Sequence, residues 1–155
     1  MIIIISFLLD GIISNYIDFN SYFIPLFSLM SLVLINKKEE NYYGYAILLG
    51  ILYDISYTDT LFLNCFVFLL ISSLIMKLFR LFNTNILSSI LIGILSIISY
   101  RILTYFILSI IGYLNFSLKN LFISIITSIP INIIYICLIY LIRYAYKYIK
   151  KRVIN

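Results

Sequence analysis

The stretch ILSSILIGILSIISYRILTYFILSIIGY, residues 86–113, decides the class of this protein. It carries one formal charge, Arg101, in 28 residues that are otherwise apolar, aromatic or small. A helix that crosses a bilayer needs about 20 predominantly apolar residues. This segment meets that length with residues to spare and is expected to tilt or bend.

Working outward, polar punctuation divides the rest of the chain into five further apolar segments, 2–17, 22–36, 42–57, 61–78 and 119–146, followed by a basic tail over 147–155. The first three are at or below spanning length, and Pro130 marks the expected kink of the last, because proline removes a backbone donor. Across all 155 residues, 64% are hydrophobic and 11% charged. A soluble domain is about half apolar and a quarter charged, so in water this chain would expose apolar surface it has no means to cover. The expectation is an all-α integral membrane protein, a single domain over 1–155 folded as a six-transmembrane-helix bundle. No basic residue precedes the apolar run at Ile2, and no small-x-small cleavage site follows it, so that run reads as an uncleaved first segment.

Charge sets the orientation. With six spans and a cytoplasmic start, Lys37, Lys38, Lys77, Arg80, Arg143, Lys147, Lys150, Lys151 and Arg152 all fall on the inner side. These are nine of the 11 basic residues; Lys119 falls outside and Arg101 within a span. The positive-inside rule then places both termini in the cytoplasm of a bacterial cell, with the chain multi-pass in the inner membrane. The basic tail serves as a topology anchor or as a docking segment for lipid headgroups or a partner.

Several functions are excluded. There is no histidine, which removes imidazole as base or ligand. Cys65 and Cys137 are far apart inside apolar runs and read as small packing residues. No phosphate-binding loop, dinucleotide fingerprint, nucleophile elbow or zinc-protease motif occurs. The expectation is no enzyme activity, no cofactor, no metal and no nucleic-acid partner. The 15 tyrosines, many near segment ends, suit an interfacial belt.

Three charges lie within predicted spans: Asp10, Asp54 and Arg101. Intramembrane charges are costly and need partners, a wet cavity or a changed protonation state. Helical rise puts Asp54 about 20 Å and Arg101 about 24 Å from the inner face. Similar depth predicts an Asp54–Arg101 pair, with Asn64 as a further partner and Asp10 nearer the midplane. Such a cluster fixes helix register, or it forms a polar site or a contact for another membrane protein.

Around the third and fourth segments, Tyr45-Ala46-Ile47-Leu48-Leu49-Gly50-Ile51-Leu52-Tyr53-Asp54-Ile55 resembles the helix-closing G-x-x-x-D signature of the rod shape-determining protein MreD family, here Gly50 and Asp54. Tyr57-Thr58-Asp59-Thr60, the helix from Leu61 through Asn64, the short early helices, Arg101 and the basic C-terminus are also similar. Family members often place glycine in the turn after the aspartate, where this chain has Leu61-Phe62-Leu63. The resemblance covers the whole chain in layout, with about 20 residues carrying the motif. It implies a non-enzymatic membrane scaffold of the cell-elongation and peptidoglycan-synthesis complex. Its partners would be an MreC-like protein, the actin-like MreB, the glycosyltransferase RodA and a class B penicillin-binding protein. It also implies a fold like that of the S-components of energy-coupling-factor transporters, so the rival expectation is a substrate-binding subunit for a small solute.

Overall fold

The structure, a computed structural model, describes residues 2–16, 26–35, 41–57, 62–82, 85–113, 115 and 117–154. These residues form six helices: α1 (Ile2–Tyr16), α2 (Phe27–Leu34), α3 (Tyr42–Tyr57), α4 (Leu63–Leu81), α5 (Ile86–Ile110) and α6 (Leu118–Ile154). No strand occurs among the described residues. The expected turns at 18–20, 37–40, 58–60 and 83–84 lie outside them.

Hydrogen bonds between helices give the direction of each. Asp10 meets the start of α2, and Tyr42 at the start of α3 donates to Leu32 O near the end of α2. Tyr57 at the end of α3 reaches back to Phe7 of α1. Asp54 meets the start of α4, Tyr100 in the second half of α5 donates to Asn64, and Arg101 donates to Ser128 in the first half of α6. Successive helices therefore run antiparallel, with α2, α4 and α6 opposite in direction to α1, α3 and α5.

The second segment departs most from the sequence expectation. In place of a helix over 22–36, α2 covers eight residues, about 12 Å of rise, too short to cross a bilayer. Residues 22–25 and 36 of that segment lie outside the described residues. Every residue of α2 is buried, and it packs against all five other helices. It is the central element of the bundle. Leu29, Met30, Leu32 and Val33 have no exposed surface, and Ile92, Ile97 and Ile136 are equally enclosed around them. Gly93 brings α5 close to this helix: a Cβ there would lie 2.6 Å from Ile136 Cδ1 and 3.3 Å from Met30 Sδ.

Three helical stretches, Leu63–Leu81, Ile86–Ile110 and Leu118–Tyr146, are long and apolar enough to cross a membrane. Their outer faces carry large exposed apolar residues such as Phe66, Leu87, Phe106, Phe122 and Leu141, as lipid contact requires. α1 holds a shorter apolar helix, Ile2–Ile13.

α6 corrects a second expectation. The sixth segment was expected to end near Tyr146 before a basic tail, and the helix continues through that tail to Ile154, 37 residues and about 55 Å in all. Residues 147–154 contain no glycine or proline to stop it. Lysine and arginine are good helix formers, and their charge complements a helix C-terminus. The helix also runs through Pro130 without ending there.

Candidate functional site: a buried polar circuit

Helices α2 and α4 begin without caps of their own. Leu26 and Phe62 occupy the N-cap positions, and neither supplies a side-chain acceptor to the first turn. The first N–H groups of a helix have no partner within it, and inside a membrane each unsatisfied group is expensive. Both helices borrow a carboxylate from the helix before them.

For α4 that carboxylate belongs to Asp54 of α3. Its Oδ1 accepts from the main-chain nitrogen of Asn64 at 3.0 Å and from the Asn64 side-chain amide at 2.9 Å, and its Oδ2 accepts from Cys65 N at 3.1 Å. Gly50, one turn earlier, makes this approach feasible. A Cβ at Gly50 would lie 2.7 Å from Cys65 N and 2.8 Å from Asn64 O, both rigid main-chain atoms. The spacing Gly50-x-x-x-Asp54 thus has one physical reading. Glycine lets the start of α4 press against α3, and the aspartate four residues on, same-faced at helical period, caps it.

Asp10 does the same for α2. Its carboxylate accepts from Phe27 N and Ser28 N, each at 2.8 Å, and from the Ser28 hydroxyl. Asn132 of α6 completes the cap by accepting from Leu26 N at 3.1 Å. At the other end of α2, Arg143 Nη1 donates to Leu34 O at 2.8 Å. A carboxylate at the N-terminus and a guanidinium at the C-terminus both complement the helix dipole. The central helix is held by charge at each end.

The caps join into one circuit. The Asn64 side chain, fixed by Asp54, accepts at Oδ1 from Tyr100 Oη at 2.7 Å, tying α3 and α4 to α5. The next residue, Arg101, donates from Nη2 to Ser128 Oγ at 2.6 Å and from Nε at 3.2 Å, tying α5 to α6. Asn132, one turn on, donates to Ser128 O at 2.7 Å while its oxygen holds α2. Asp10 ties α2 to α1, and Tyr57 Oη, donating to Phe7 O at 2.8 Å, ties α1 back to α3. Asp10, Asp54, Asn64, Tyr100, Arg101, Ser128 and Asn132 are all buried. Among the described residues no buried side-chain nitrogen or oxygen lacks a partner.

The sequence-derived cluster of Asp10, Asp54, Asn64 and Arg101 is thus brought into one buried circuit, with a different wiring. Depth predicted an Asp54–Arg101 pair, but the described hydrogen bonds of Asp54 go to α4 and those of Arg101 to α6. The reason is that similar depth fixes a level along the bundle and says nothing about azimuth. An uncapped helix start beside Asp54 also offers main-chain donors that need an acceptor. Asn64 is Asp54's partner as expected, and Asp10 serves a separate helix. Ser28, Tyr100, Ser128 and Asn132 were missed. Asn132 had a legible signal: it is the sole amide residue between Leu121 and Ile142 and lies four residues from Ser128.

Chemically, the arrangement spends its carboxylates on main-chain N–H groups, which is the work of helix caps. The sequence model of the rod shape-determining protein MreD family matches residues 1–151 of the chain. Comparison with curated proteins and with solved structures gave no match, so the expected likeness to S-components gains no support there. The family match reaches into all six helices and takes in Gly50, Asp54 and Arg101, and the chain belongs to the rod shape-determining protein MreD family.

Proposed function

We propose that this chain is a non-enzymatic membrane scaffold or regulator of the cell-elongation complex, working through its outer surfaces rather than through its buried polar residues. The observation that carries this reading is the family match over residues 1–151. The hydrogen-bond circuit supports it, because both buried carboxylates among the described residues, Asp10 and Asp54, are engaged at helix starts. The lipid-facing sides and the two ends of the bundle are left for partners. By family, these are an MreC-like protein, MreB, RodA and a class B penicillin-binding protein of the bacterial inner membrane.

The same proposal includes topology. The antiparallel order of the six described helices, and the inner-side placement of nine of the 11 basic residues that six spans from a cytoplasmic start would give, favour six membrane-inserted segments and two cytoplasmic termini. In it, the short α1, α2 and α3 are inserted as parts of the bundle, and α2 has both its ends met by side chains of neighbouring helices.

The test is depletion of this chain in its own host, beside affinity capture of the detergent-solubilised complex. Loss of the rod outline with capture of an MreC-like partner supports the proposal. Cells that stay rod-shaped on depletion contradict it. Reporter fusions at Asn36, Thr60, Asn83 and Asn155 should read inside, outside, inside and inside; an outside reading at Asn155 rules out the six-segment topology.

A further inference from the structure

Phe66, Leu70, Ser73, Lys77 and Arg80 recur at helical spacing along α4 and fall within an arc of about 80° on its outer face. Phe66, Leu70, Lys77 and Arg80 are exposed. Ser73 turns its hydroxyl back to Leu70 O at 2.7 Å, so it adds no free polar group to that face. The face is therefore apolar along its length and doubly cationic at the end where α4 closes. Lys77 lies about 16 Å along the helix from Phe66, close to the depth of one leaflet of a hydrocarbon core about 30 Å thick.

Contacts with α3 place this face beside a seam. Cys65 meets Gly50 and Asp54 and so marks the side of α4 that faces α3. At about 100° per residue, Arg80 falls about 60° and Lys77 about 120° from that line. Tyr43 shares the face of α3 that carries Gly50 and Asp54. Because α3 and α4 run antiparallel, equal rise from the Asp54–Asn64 contact sets Tyr43 level with Ile75 and Met76, where its ring is exposed. Tyr43, Arg80 and Lys77 thus border the outer α3–α4 seam at one level. Among the described residues, neither Lys77 nor Arg80 makes a side-chain hydrogen bond or ion pair. The buried carboxylates, Asp10 and Asp54, are committed to helix starts.

From this we infer that the outer α3–α4 seam binds an anionic phospholipid in the leaflet where α4 closes. Lys77 and Arg80 hold the phosphodiester beside the Tyr43 hydroxyl, and an acyl chain lies along Leu70 and Phe66. Ammonium and guanidinium groups both form charge-assisted hydrogen bonds to phosphate oxygens. A zwitterionic lipid brings its own cation against the pair, and a soluble anion makes no use of the apolar track below it. The bound lipid spans the same two helices that Gly50 and Asp54 join from within. The inference needs the chain to lie in a bilayer and is independent of the scaffold role.

The chain contains no tryptophan, so Leu70→Trp puts a single fluorophore on the acyl track. Leu95→Trp puts one on an exposed position of α5 at a similar depth, away from the seam. Each full-length variant is placed in nanodiscs of equal parts phosphatidylcholine and phosphatidylglycerol, with one lipid or the other brominated on its acyl chains. In Leu70→Trp, brominated phosphatidylglycerol should quench more than brominated phosphatidylcholine; in Leu95→Trp the two should quench alike. A basic residue near an anionic lipid is worth about fivefold in association, so the pair should favour phosphatidylglycerol about 25-fold at the seam. Lys77→Gln with Arg80→Gln should abolish the preference in Leu70→Trp, and Lys77→Arg should keep it. Both positions are exposed, and unchanged thermal unfolding in detergent checks that the bundle remains folded. Equal quenching by the two lipids in Leu70→Trp, the same preference in Leu95→Trp, or a preference that survives the double substitution would overturn the inference.

Discussion

Asp54 on α3 accepts two hydrogen bonds from Asn64 on α4, one from its main chain at 3.0 Å and one from its side chain at 2.9 Å. This contact converts two consecutive helices into one unit and orients Asn64 toward Tyr100. Hydrogen bonds to a charged group contribute about 1.5–3 kcal/mol, and an N-cap about 1 kcal/mol. Asp54→Asn keeps the shape but removes the charge and one acceptor, and should cost about 2 kcal/mol in thermal unfolding in detergent. In double-mutant cycles, Asp54→Asn should couple to Asn64→Leu by about 1 kcal/mol. Its coupling to Arg101→Leu should fall within about 0.5 kcal/mol of zero. A larger coupling to Arg101 would restore the ion pair that depth alone suggested.

Gly50 is the second half of the same device. A methyl group there meets the main chain of Cys65 and Asn64, which has no side-chain freedom with which to yield. Gly50→Ala should therefore destabilise by about 3 kcal/mol, at the upper end of overpacking costs. Gly44→Ala, on the same helix with nothing within 4 Å of its Cβ, should be neutral or stabilising by up to about 1 kcal/mol. The pair separates close approach from helix propensity, and equal effects at the two sites would refute the packing argument.

Phe62 has φ +62°, the one non-glycine residue with positive φ among the described residues. Its ring is 65% exposed, so little burial opposes a change. Left-handed backbone costs an L-residue about 1–2 kcal/mol, which glycine avoids. Phe62→Gly should raise stability by about 1 kcal/mol, read as a higher unfolding midpoint. A lower midpoint would mean that the ring is needed in the turn.

The two ends of α2 should respond separately. Asp10→Asn withdraws the charged acceptor from Phe27 N and Ser28 N, so hydrogen exchange at those amides should accelerate most. Arg143→Gln removes a cation from the helix C-terminus, worth about 0.3–1 kcal/mol, and should loosen the last turn of α2 with less effect at Phe27. Uniform acceleration along α2 in both variants would show that it responds as a rigid whole.

The sequence made some of this architecture legible and hid the rest for physical reasons. The apolar runs at 42–57, 61–78 and 86–113 were readable because lipid demands continuous apolar length, and α3, α4 and α5 follow them within a few residues. α2 was misread because hydropathy does not distinguish a spanning helix from an eight-residue helix enclosed on all sides. The extension of α6 was misread because lysines mark a topological boundary without ending a helix. For the site, charge scarcity pointed to Asp10, Asp54 and Arg101. Their partners were hidden because main-chain N–H groups at helix starts carry no signature in side-chain sequence. Gly50 and Asp54 were legible as a family pattern, and the structure supplies its cause.

The central claim is that the buried polar circuit serves the fold while the protein's work is done at its surfaces. The most direct measurement is the length-to-width ratio of cells whose only protein of this family is this chain, plotted against the amount of folded protein in the membrane, for Asp10→Asn, Asp54→Asn, Arg101→Leu and Asn132→Leu. The account predicts that all four variants fall on the curve traced by graded expression of the unsubstituted chain, with any rounding explained by lost protein. A variant that accumulates to the full level and unfolds at the normal temperature, yet leaves the cells round, would contradict it and give the circuit a function of its own.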